Sequence, residues 1–242
     1  VGITLSFLSV HPSLDIPIAP QYVSRPSTIG ILTTHPPTLC GIAQFSSALA
    51  RGLEANGVDV NVVRIGDGSP GTDSRVIGEL TNGSSASVAE TAELLNRGDV
   101  AVVQHEYGLY GGADGDEVID IIAGLRVPSI VVAHTILKDP TPHQRSVLEE
   151  IVAAADRIVV MSDAAHDRLC AGYNVDRRKI STIPHGATLA SGASVKRSGR
   201  PTLLTWGLLG PGKGIERVID AMASLRELPG RPRYHVAGRT HP

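Results

Sequence analysis

The chain has 242 residues, of which 42% are hydrophobic and 3% aromatic, and its formal net charge at pH 7 is −2. This length exceeds one typical domain and falls short of two full ones. The near-neutral charge, without a run of Lys and Arg, disfavours nucleic-acid binding, which needs a concentrated basic patch. The two cysteines, Cys40 and Cys170, lie far apart outside any C-x-x-C pattern. This spacing indicates a reducing compartment and neither a disulfide framework nor a zinc site.

Residues 1–26 are interpreted as an N-terminal leader segment. The apolar stretch 1–10 is too short to span a bilayer and lacks the basic start of a signal peptide. We therefore expect a cytoplasmic protein, at most peripheral to the inner face of the membrane. Because the first residue is Val1 and the last, Pro242, follows an apolar run, both ends are interpreted as cut.

From Ser27 onward, short apolar runs alternate with longer amphipathic stretches. The runs predict strands buried on both faces, at Thr28–Thr33, Val58–Ile65, Val100–Gln104, Ser129–Ala133, Arg157–Met161 and Lys179–Ile183. The stretches between them have the three- and four-residue apolar spacing of helices, at Gly41–Asn56, Ser87–Asn96, Pro142–Ala155 and Asp163–Ala171. This alternation predicts an α/β domain over 27–187, with a complete Rossmann-like, doubly wound parallel sheet.

The composition changes at 188–200, where small, polar and basic residues without periodicity predict a linker. A single β-α-β step is predicted after it, from strand Pro201–Trp206, loop Gly207–Gly214, helix Ile215–Leu225 and strand Arg233–Ala237. One such step, about 40 residues long, cannot close a core by itself. Region 201–242 is therefore expected to be the start of a second Rossmann-like domain, incomplete in this chain.

Open parallel sheets bind ligands at the carboxyl ends of their strands, so the loops there are the candidate site. The loop after the first strand ends at Gly41, where a helix start offers unpaired N–H groups to a diphosphate or a sugar hydroxyl. An ordinary β-α turn stiffened by prolines is the alternative. The dinucleotide fingerprint G-x-G-x-x-G is absent, which disfavours a nicotinamide-dependent dehydrogenase.

The loop after the third predicted strand begins His105-Glu106-Tyr107 and continues through Tyr110 to two glycines. It is interpreted as a ligand-contacting loop, the alternative being that the tyrosines pack it onto the domain. His134 follows an apolar strand and could hydrogen-bond a sugar hydroxyl or transfer a proton near neutral pH. A histidine in that place could equally be structural.

In the second unit, Gly207, Lys213 and Gly214 lie in the predicted strand-to-helix loop. Glycines permit close approach of the backbone, and a lysine at a helix start can neutralise phosphate charge. The alternative is a flexible connection. His185, next to the linker, is either a hinge or a site residue. The nine histidines form no metal-binding or hydrolase motif, so neither a metal site nor a cofactor is expected.

Seven segments taken in order resemble the family 4 glycosyltransferases, which are retaining enzymes of the GT-B fold. They are PPTLCGIAQF, QHEYGLYGG, AHTIL, VVMS, IPHG, WGLLGPGKGIERVIDAM and VAGRTHP. The resemblance implies a first domain that binds the acceptor and a second domain that binds a nucleotide-diphosphate sugar. The expected activity is transfer of a hexose to a glycan, lipid-linked or small-molecule hydroxyl acceptor with retention of configuration, as in carbohydrate biosynthesis. No nucleic-acid partner is implied.

The resemblance also assigns roles to single residues. His134 is placed beside the transferred sugar as the catalytic histidine, and Gly41 approaches the donor phosphates. Lys213, with the flanking glycines Gly207 and Gly214, matches the element that stabilises the leaving diphosphate. Contacts to the acceptor or the sugar are expected from His105, Glu106, Tyr107 and His185.

Two departures from the family pattern bear on activity. Leu208 stands where the family has an arginine, and the acidic E-x7-E element would fall beyond Pro242. The chain is therefore expected to be truncated within its C-terminal domain, to bind donor weakly and to turn over poorly alone. The alternatives are a non-catalytic or degenerate GT-B scaffold that acts as a binding module, and a sugar-nucleotide epimerase or phosphorylase on the same fold.

Overall fold

The structure is a computed structural model that describes residues 26–187, 199–210, 212–225 and 230–240. The chain divides into two compact units, Val1–Thr188 and Leu189–Pro242. The predicted leader, apart from Pro26, lies outside the described residues, and so does 188–198 of the predicted linker.

The first unit alternates strands and helices. Its strands are β1 (Thr28–Thr33), β2 (Asp59–Ile65), β3 (Val76–Leu80), β4 (Val100–His105), β5 (Ser129–Ala133), β6 (Arg157–Val160) and β7 (Ile180–Thr182). Its helices are α1 (Gly41–Glu54), α2 (Ser85–Leu95), α3 (Glu117–Ala123), α4 (Pro142–Ala154) and α5 (Asp163–Gly172). Short 3-10 helices occur at Ala113–Gly115 and Arg177–Lys179.

The seven strands form one parallel sheet in the order β3-β2-β1-β4-β5-β6-β7. Successive side chains of a strand point to opposite faces. Ile31 accordingly belongs to an apolar cluster with α1, whereas its neighbour Leu32 belongs to a cluster with α2, α3, α4 and α5. Helices thus cover both faces, which confirms the predicted doubly wound α/β class.

Local signals explain where the helices begin. The Thr141 hydroxyl accepts a hydrogen bond from the backbone N–H of Gln144 at 3.2 Å, and Gln144 Oε1 accepts one from the backbone N–H of Thr141 at 3.0 Å. This capping box, with Pro142 in the first helical turn, fixes the start of α4. Ser162 caps α5 in the same manner through the backbone N–H of Ala165 at 3.2 Å.

Two elements were missed by the sequence prediction. Strand β3 carries Gly78 and Glu79 and is buried fully at Leu80 alone, because it lies at the sheet edge with one side free. Its short, mixed sequence therefore lacks the apolar run that marked the other strands. Helix α3 has seven residues and follows a glycine-rich loop, so it offers less than two full turns of periodicity.

The second unit contains β8 (Thr202–Leu209), α6 (Ile215–Ser224) and β9 (Arg233–Thr240), and its two strands are parallel. The predicted β-α-β step is confirmed, but β8 extends through Gly207 and Leu208, which were placed in the following loop. None of the described residues of this unit is buried, and the Trp206 side chain on β8 is 76% exposed.

Candidate active site

The candidate site lies where the strand order of the first unit reverses, between β1 and β4. Chain connections leave the sheet to opposite sides at such a point and open a crevice at the carboxyl ends of the strands. The segment 34–41 that ends at the first residue of α1, the end of β4 and the residue after β5 all meet this edge. Gly41, His105 and His134, which the sequence singled out, occupy these three places.

His134 is half-buried directly after β5, and its backbone N–H donates to the carbonyl of His105 at 3.0 Å. Its Nε2 lies 2.7 Å from Oε1 of Gln104, on the neighbouring strand β4. Burial, followed by the nearby His185, lowers the pKa of His134 to about 4. The imidazole is therefore neutral near pH 7, which suits a hydrogen bond to a hydroxyl better than neutralisation of a phosphate.

Phe45 of α1 joins two predicted site residues that are distant in sequence. Its ring packs edge to face against His134, with 5.1 Å between ring centroids, and against the exposed His185, with 5.5 Å. The structure thus brings His134 and His185 to one cluster through an aromatic ring that the sequence prediction did not single out. The helical position of Phe45 four residues into α1 was the available signal.

Glu106 and Tyr107 hold the loop after β4 in place. The Thr135 hydroxyl donates to a Glu106 carboxylate oxygen, and the Tyr107 hydroxyl donates to the backbone carbonyl of Gln144 at 3.3 Å. Burial raises the pKa of Tyr107 above its ordinary value. Tyr110 is buried as well, and its hydroxyl donates to the backbone carbonyl of Gln104 at 2.7 Å. The tyrosines therefore pack the loop, which was the alternative interpretation for them.

His105 requires a correction. It was predicted to contact a sugar from a surface loop, but it is the last residue of β4 and is fully buried. Its ring lies edge to face against Tyr107, with 5.2 Å between centroids, and burial lowers its pKa to about 4. Neither ring nitrogen has a hydrogen-bond partner among the described residues. The apolar run of β4 continues one residue further than predicted and turns this side chain inward.

Helix α1 begins at the exposed Gly41, as predicted. Within the described residues, no side chain caps this helix start, and its first turn contains no acidic residue. A Cβ atom at Gly41 would meet no described atom within 4 Å. The N–H groups of the first turn are thus open to an anion, while the fold itself does not require glycine at this position.

A buried arginine, which the sequence prediction missed, organises the other side of the crevice. The fully buried Arg64 at the end of β2 donates to Oε1 of Glu79 at 2.6 Å, to the Thr38 hydroxyl at 3.0 Å and to a carboxylate oxygen of Asp67. Burial opposes its charge, but these carboxylates outweigh burial and raise the pKa of Arg64. We call Arg64, Thr38, Asp67 and Glu79 the Arg64 cluster. A charged residue in the apolar run of β2 was the available signal.

In the second unit, Lys213 is exposed and its backbone N–H donates to the carbonyl of Gly210 at 3.3 Å. Gly214 is the N-cap of α6 in the left-handed conformation, with φ of 67°. The strand register pairs Gly207 with Gly238 and Leu208 with Arg239. Lys213 and Gly214 therefore do lie at a helix start, whereas Gly207 lies within the strand.

Within the described ranges, no group of three or more His, Cys, Asp or Glu side chains is arranged to hold a metal ion. Among the helices of the described residues, none combines the length and the apolar character needed to cross a bilayer.

The parallel sheet with its crevice at the order reversal, followed by a second β-α-β unit, defines the GT-B-like fold class. Residues 40–191, more than half of the chain, match the family described as Glycosyltransferase Family 4. The chain therefore belongs to glycosyltransferase family 4. A search of curated proteins gave no match.

A solved structure with a TM-score above 0.5 shows the same fold, and two further structures are similar in part. An alpha-glucosyltransferase in complex with UDP and a 13-mer DNA containing an HMU base is 14% identical, with a TM-score of 0.57 over 88% of this chain and 67% of that one. The glycotransferase of kitacinnamycin is 12% identical, with a TM-score of 0.48 over 89% of this chain and 66% of that one. For S. aureus TarM, in complex with fondaparinux, alpha-GlcNAc-glycerol and UDP, the identity is 14% and the TM-score 0.45, over 63% and 31%. The chain thus spans from 31% to 67% of the length of these proteins.

Proposed function

We propose that this protein transfers a hexosyl group from a nucleotide-diphosphate sugar to a hydroxyl acceptor with retention of anomeric configuration. In this reaction the acceptor oxygen bonds to the anomeric carbon, and the bond from that carbon to the diphosphate breaks. The diphosphate keeps the electron pair and takes up the acceptor proton. The proposal includes no metal and no cofactor.

The observation that carries the proposal is the neutral imidazole of His134 in the crevice between β1 and β4. Its ring is held by Gln104 at 2.7 Å and by Phe45 at 5.1 Å between centroids. A neutral, oriented imidazole is suited to hydrogen-bond a hydroxyl of the transferred sugar. We assign His134 this role rather than that of a general acid, because a pKa of about 4 leaves it deprotonated near pH 7.

The negative charge of the departing diphosphate is stabilised by hydrogen-bond donors and by cations. In the first unit, the uncapped start of α1 at Gly41 offers N–H groups and the positive end of a helix dipole. In the second unit, Lys213 offers a side-chain cation. Leu208 replaces the arginine of the family pattern, but the register places Arg239 beside it on β9. We propose that Arg239 supplies the missing charge.

The partners follow from the same proposal. The donor is a nucleotide-diphosphate sugar. UDP is the first nucleotide to test, because the alpha-glucosyltransferase neighbour was solved in complex with UDP. The acceptor is a glycan, a lipid-linked sugar or a small molecule. We place the protein in the cytoplasm, at most at the inner face of the membrane.

The test measures binding of UDP, GDP and ADP to the 242-residue chain by calorimetry, then transfer from the matching glucose nucleotides to a panel of sugars and glycolipids. Transfer is measured in long incubations at high protein concentration, because this chain is expected to bind donor weakly and to turn over slowly. We expect one nucleotide to bind and the product to keep the anomeric configuration of the donor, read by NMR. The His134→Ala variant should lower kcat/KM about tenfold, the value of one hydrogen bond. His166→Ala on α5 is the matched control and should leave kcat/KM unchanged.

Loss of activity in both histidine variants alike, or a product of inverted configuration, would contradict the proposal. Leu208 favours one competing function, a GT-B scaffold that binds without catalysis. That alternative predicts nucleotide binding with no transfer to any acceptor. An epimerase or phosphorylase would instead change the sugar nucleotide or release a sugar phosphate without an acceptor.

A further inference from the structure

Gln104 has an unusual environment at the end of β4. The residue is fully buried, and its Oε1 lies 2.7 Å from Nε2 of His134. The other amide atom, Nε2 of Gln104, is buried and has no hydrogen-bond partner among the described residues. A buried amide that satisfies one atom through the site histidine alone is costly to keep for stability. Its contact with His134 is therefore the feature to explain.

The chemistry of this contact determines where the histidine carries its proton. The Gln104 amide is oriented with its oxygen towards His134. An amide oxygen accepts hydrogen bonds and cannot donate one, so this orientation assigns the proton in the contact to Nε2 of His134. A neutral imidazole has a single N–H group. The other ring nitrogen, Nδ1, is then an acceptor with a free lone pair, and it makes no hydrogen bond to a described residue.

We propose that Gln104 is a positioning residue that fixes the Nε2–H tautomer of His134. In this arrangement Nδ1 is presented as a hydrogen-bond acceptor to a hydroxyl of the donor sugar. The assignment of the tautomer rests on the contact between the two side chains, and the sugar hydroxyl rests on the proposed function.

The surrounding contacts make both partners rigid. The Tyr110 hydroxyl donates to the backbone carbonyl of Gln104 at 2.7 Å, and the backbone N–H of His134 donates to the carbonyl of His105 at 3.0 Å. Phe45 holds the plane of the His134 ring from α1 through an edge-to-face contact with an interplanar angle of 89°. The relative position of amide and imidazole is thus set by β4, β5 and α1 together.

The titratable neighbours of His134 do not replace Gln104 as the orienting partner. His105 is buried and neutral, and its ring nitrogens have no partner among the described residues. His185 packs edge to face against Phe45, and no hydrogen bond joins it to His134 among the described residues. Neither contributes a carboxylate or a cation that would fix the proton on one nitrogen of His134.

The test uses NMR of the 242-residue chain with ¹⁵N-labelled histidine, in which long-range proton–nitrogen couplings show the nitrogen that carries the proton. The chain has nine histidines, so the His134 signals are identified by their loss in His134→Asn. We expect Nε2 of His134 to be protonated and Nδ1 to be unprotonated at pH 7. A protonated Nδ1 would overturn the inference.

Two variants of Gln104 separate positioning from packing. Gln104→Leu removes the acceptor at similar volume, and we expect the single tautomer to give way to a mixture. Gln104→Glu keeps an acceptor and adds charge, so it should retain the Nε2–H form and raise the pKa of His134 by about one to three pH units. Gln144→Glu is the control with the same charge, because a capping box accepts Glu at this position, and it should change neither readout.

Thermal unfolding of each variant shows whether it folds, and the tautomer is interpreted in the folded ones. An unchanged tautomer and an unchanged pKa of His134 in both Gln104 variants would refute the positioning role. Because these measurements need no substrate, they remain decisive if no nucleotide sugar binds. Conversely, a fixed tautomer together with failed transfer would refute the proposed function and leave the role of Gln104 intact.

Discussion

The two halves of the crevice differ in whether they bury a charge. On the side of β1, β2 and β3, the Arg64 cluster pairs a fully buried cation with two carboxylates and a hydroxyl. The buried His35 lies beside this cluster, and neither of its ring nitrogens has a hydrogen-bond partner among the described residues. On the side of β4 and β5, the buried groups are neutral, and Gln104 Nε2 and both ring nitrogens of His105 likewise have no partner among the described residues. We call Gln104, His105 and His134 the histidine cluster.

We therefore interpret the half that contains the Arg64 cluster as structural and the half that contains the histidine cluster as reactive. The Arg64 ion pairs resist rearrangement, because moving Arg64 away from Asp67 and Glu79 would leave its buried charge without a partner. Unsatisfied neutral groups cost stability and are kept where a ligand or a proton is to be met. The Arg64 cluster should therefore control folding of the loop before α1, while the histidine cluster should control chemistry.

The largest expected effect is on the charged half. Replacing the buried Arg64 by Met removes its hydrogen bonds to the carboxylates of Asp67 and Glu79, which are 34% and 41% exposed, and should lower the free energy of unfolding by about 4 kcal/mol. The matched control is Arg126→Met, since Arg126 pairs with Glu93 while its side chain is 63% exposed. That variant should cost less than about 1 kcal/mol. Urea denaturation followed by circular dichroism measures both, and equal losses would remove the distinction between the halves.

The buried neutral histidines should make the free energy of unfolding depend on pH. Burial holds the pKa of His105 and His134 at about 4, below the ordinary histidine value of 6.5, so as the pH falls the unfolded chain binds protons at these residues first. Stability from these groups is complete above pH 6.5, falls as the pH is lowered, and levels off below about pH 4. For His105 alone the loss is about 3 kcal/mol.

His105→Leu should flatten this pH dependence, because it removes one titrating group and two unpartnered nitrogens. His166→Leu on the helix surface is the control and should leave the slope unchanged. The measurement is the midpoint of thermal unfolding at intervals between pH 7 and pH 4. A profile that is level over this range in the parent chain would show that the histidines are not desolvated as described.

The smallest stability effect is expected at Gly41, between the two halves. A Cβ at this helical position meets no described atom within 4 Å, so Gly41→Ala should change the free energy of unfolding by less than about 0.5 kcal/mol. In contrast, Gly57→Ala forces a side chain to a φ of 83° and should cost about 1 kcal/mol. If the proposed phosphate contact is correct, Gly41→Ala alone weakens nucleotide binding. Unchanged affinity would place the phosphate elsewhere.

The sequence predicted the buried strands well, because their signal is local. The run at β1 and the run at β5 have the predicted bounds, since both are short apolar runs rich in Ile and Val. The edge strand β3 was missed because it has no continuous apolar run. Its exposed positions carry residues, such as Glu79, that are equally common in loops. Gly207 was misplaced because a glycine within a strand resembles the start of a turn.

The sequence predicted where in the fold the site lies better than it predicted which side chains contact one another there. The loops after the predicted strands could be named from the alternation of strands and helices, which is why Gly41 and His134 were singled out. The partners Phe45 and Arg64 act through contacts between elements that are distant in sequence, and single-chain patterns do not encode such pairs. His105 was misplaced because β4 is one residue longer than predicted, and in that extra strand position its side chain is buried.

Trp206 gives the second unit an optical signal of its own. It is the sole tryptophan in the sequence, and it lies on β8 in the second unit with 76% of its side chain exposed. Tyrosines occur in both units, since Tyr234 lies on β9, so their emission does not separate the units. Titrating a nucleotide while recording indole emission therefore reports the binding events that reach the surroundings of β8.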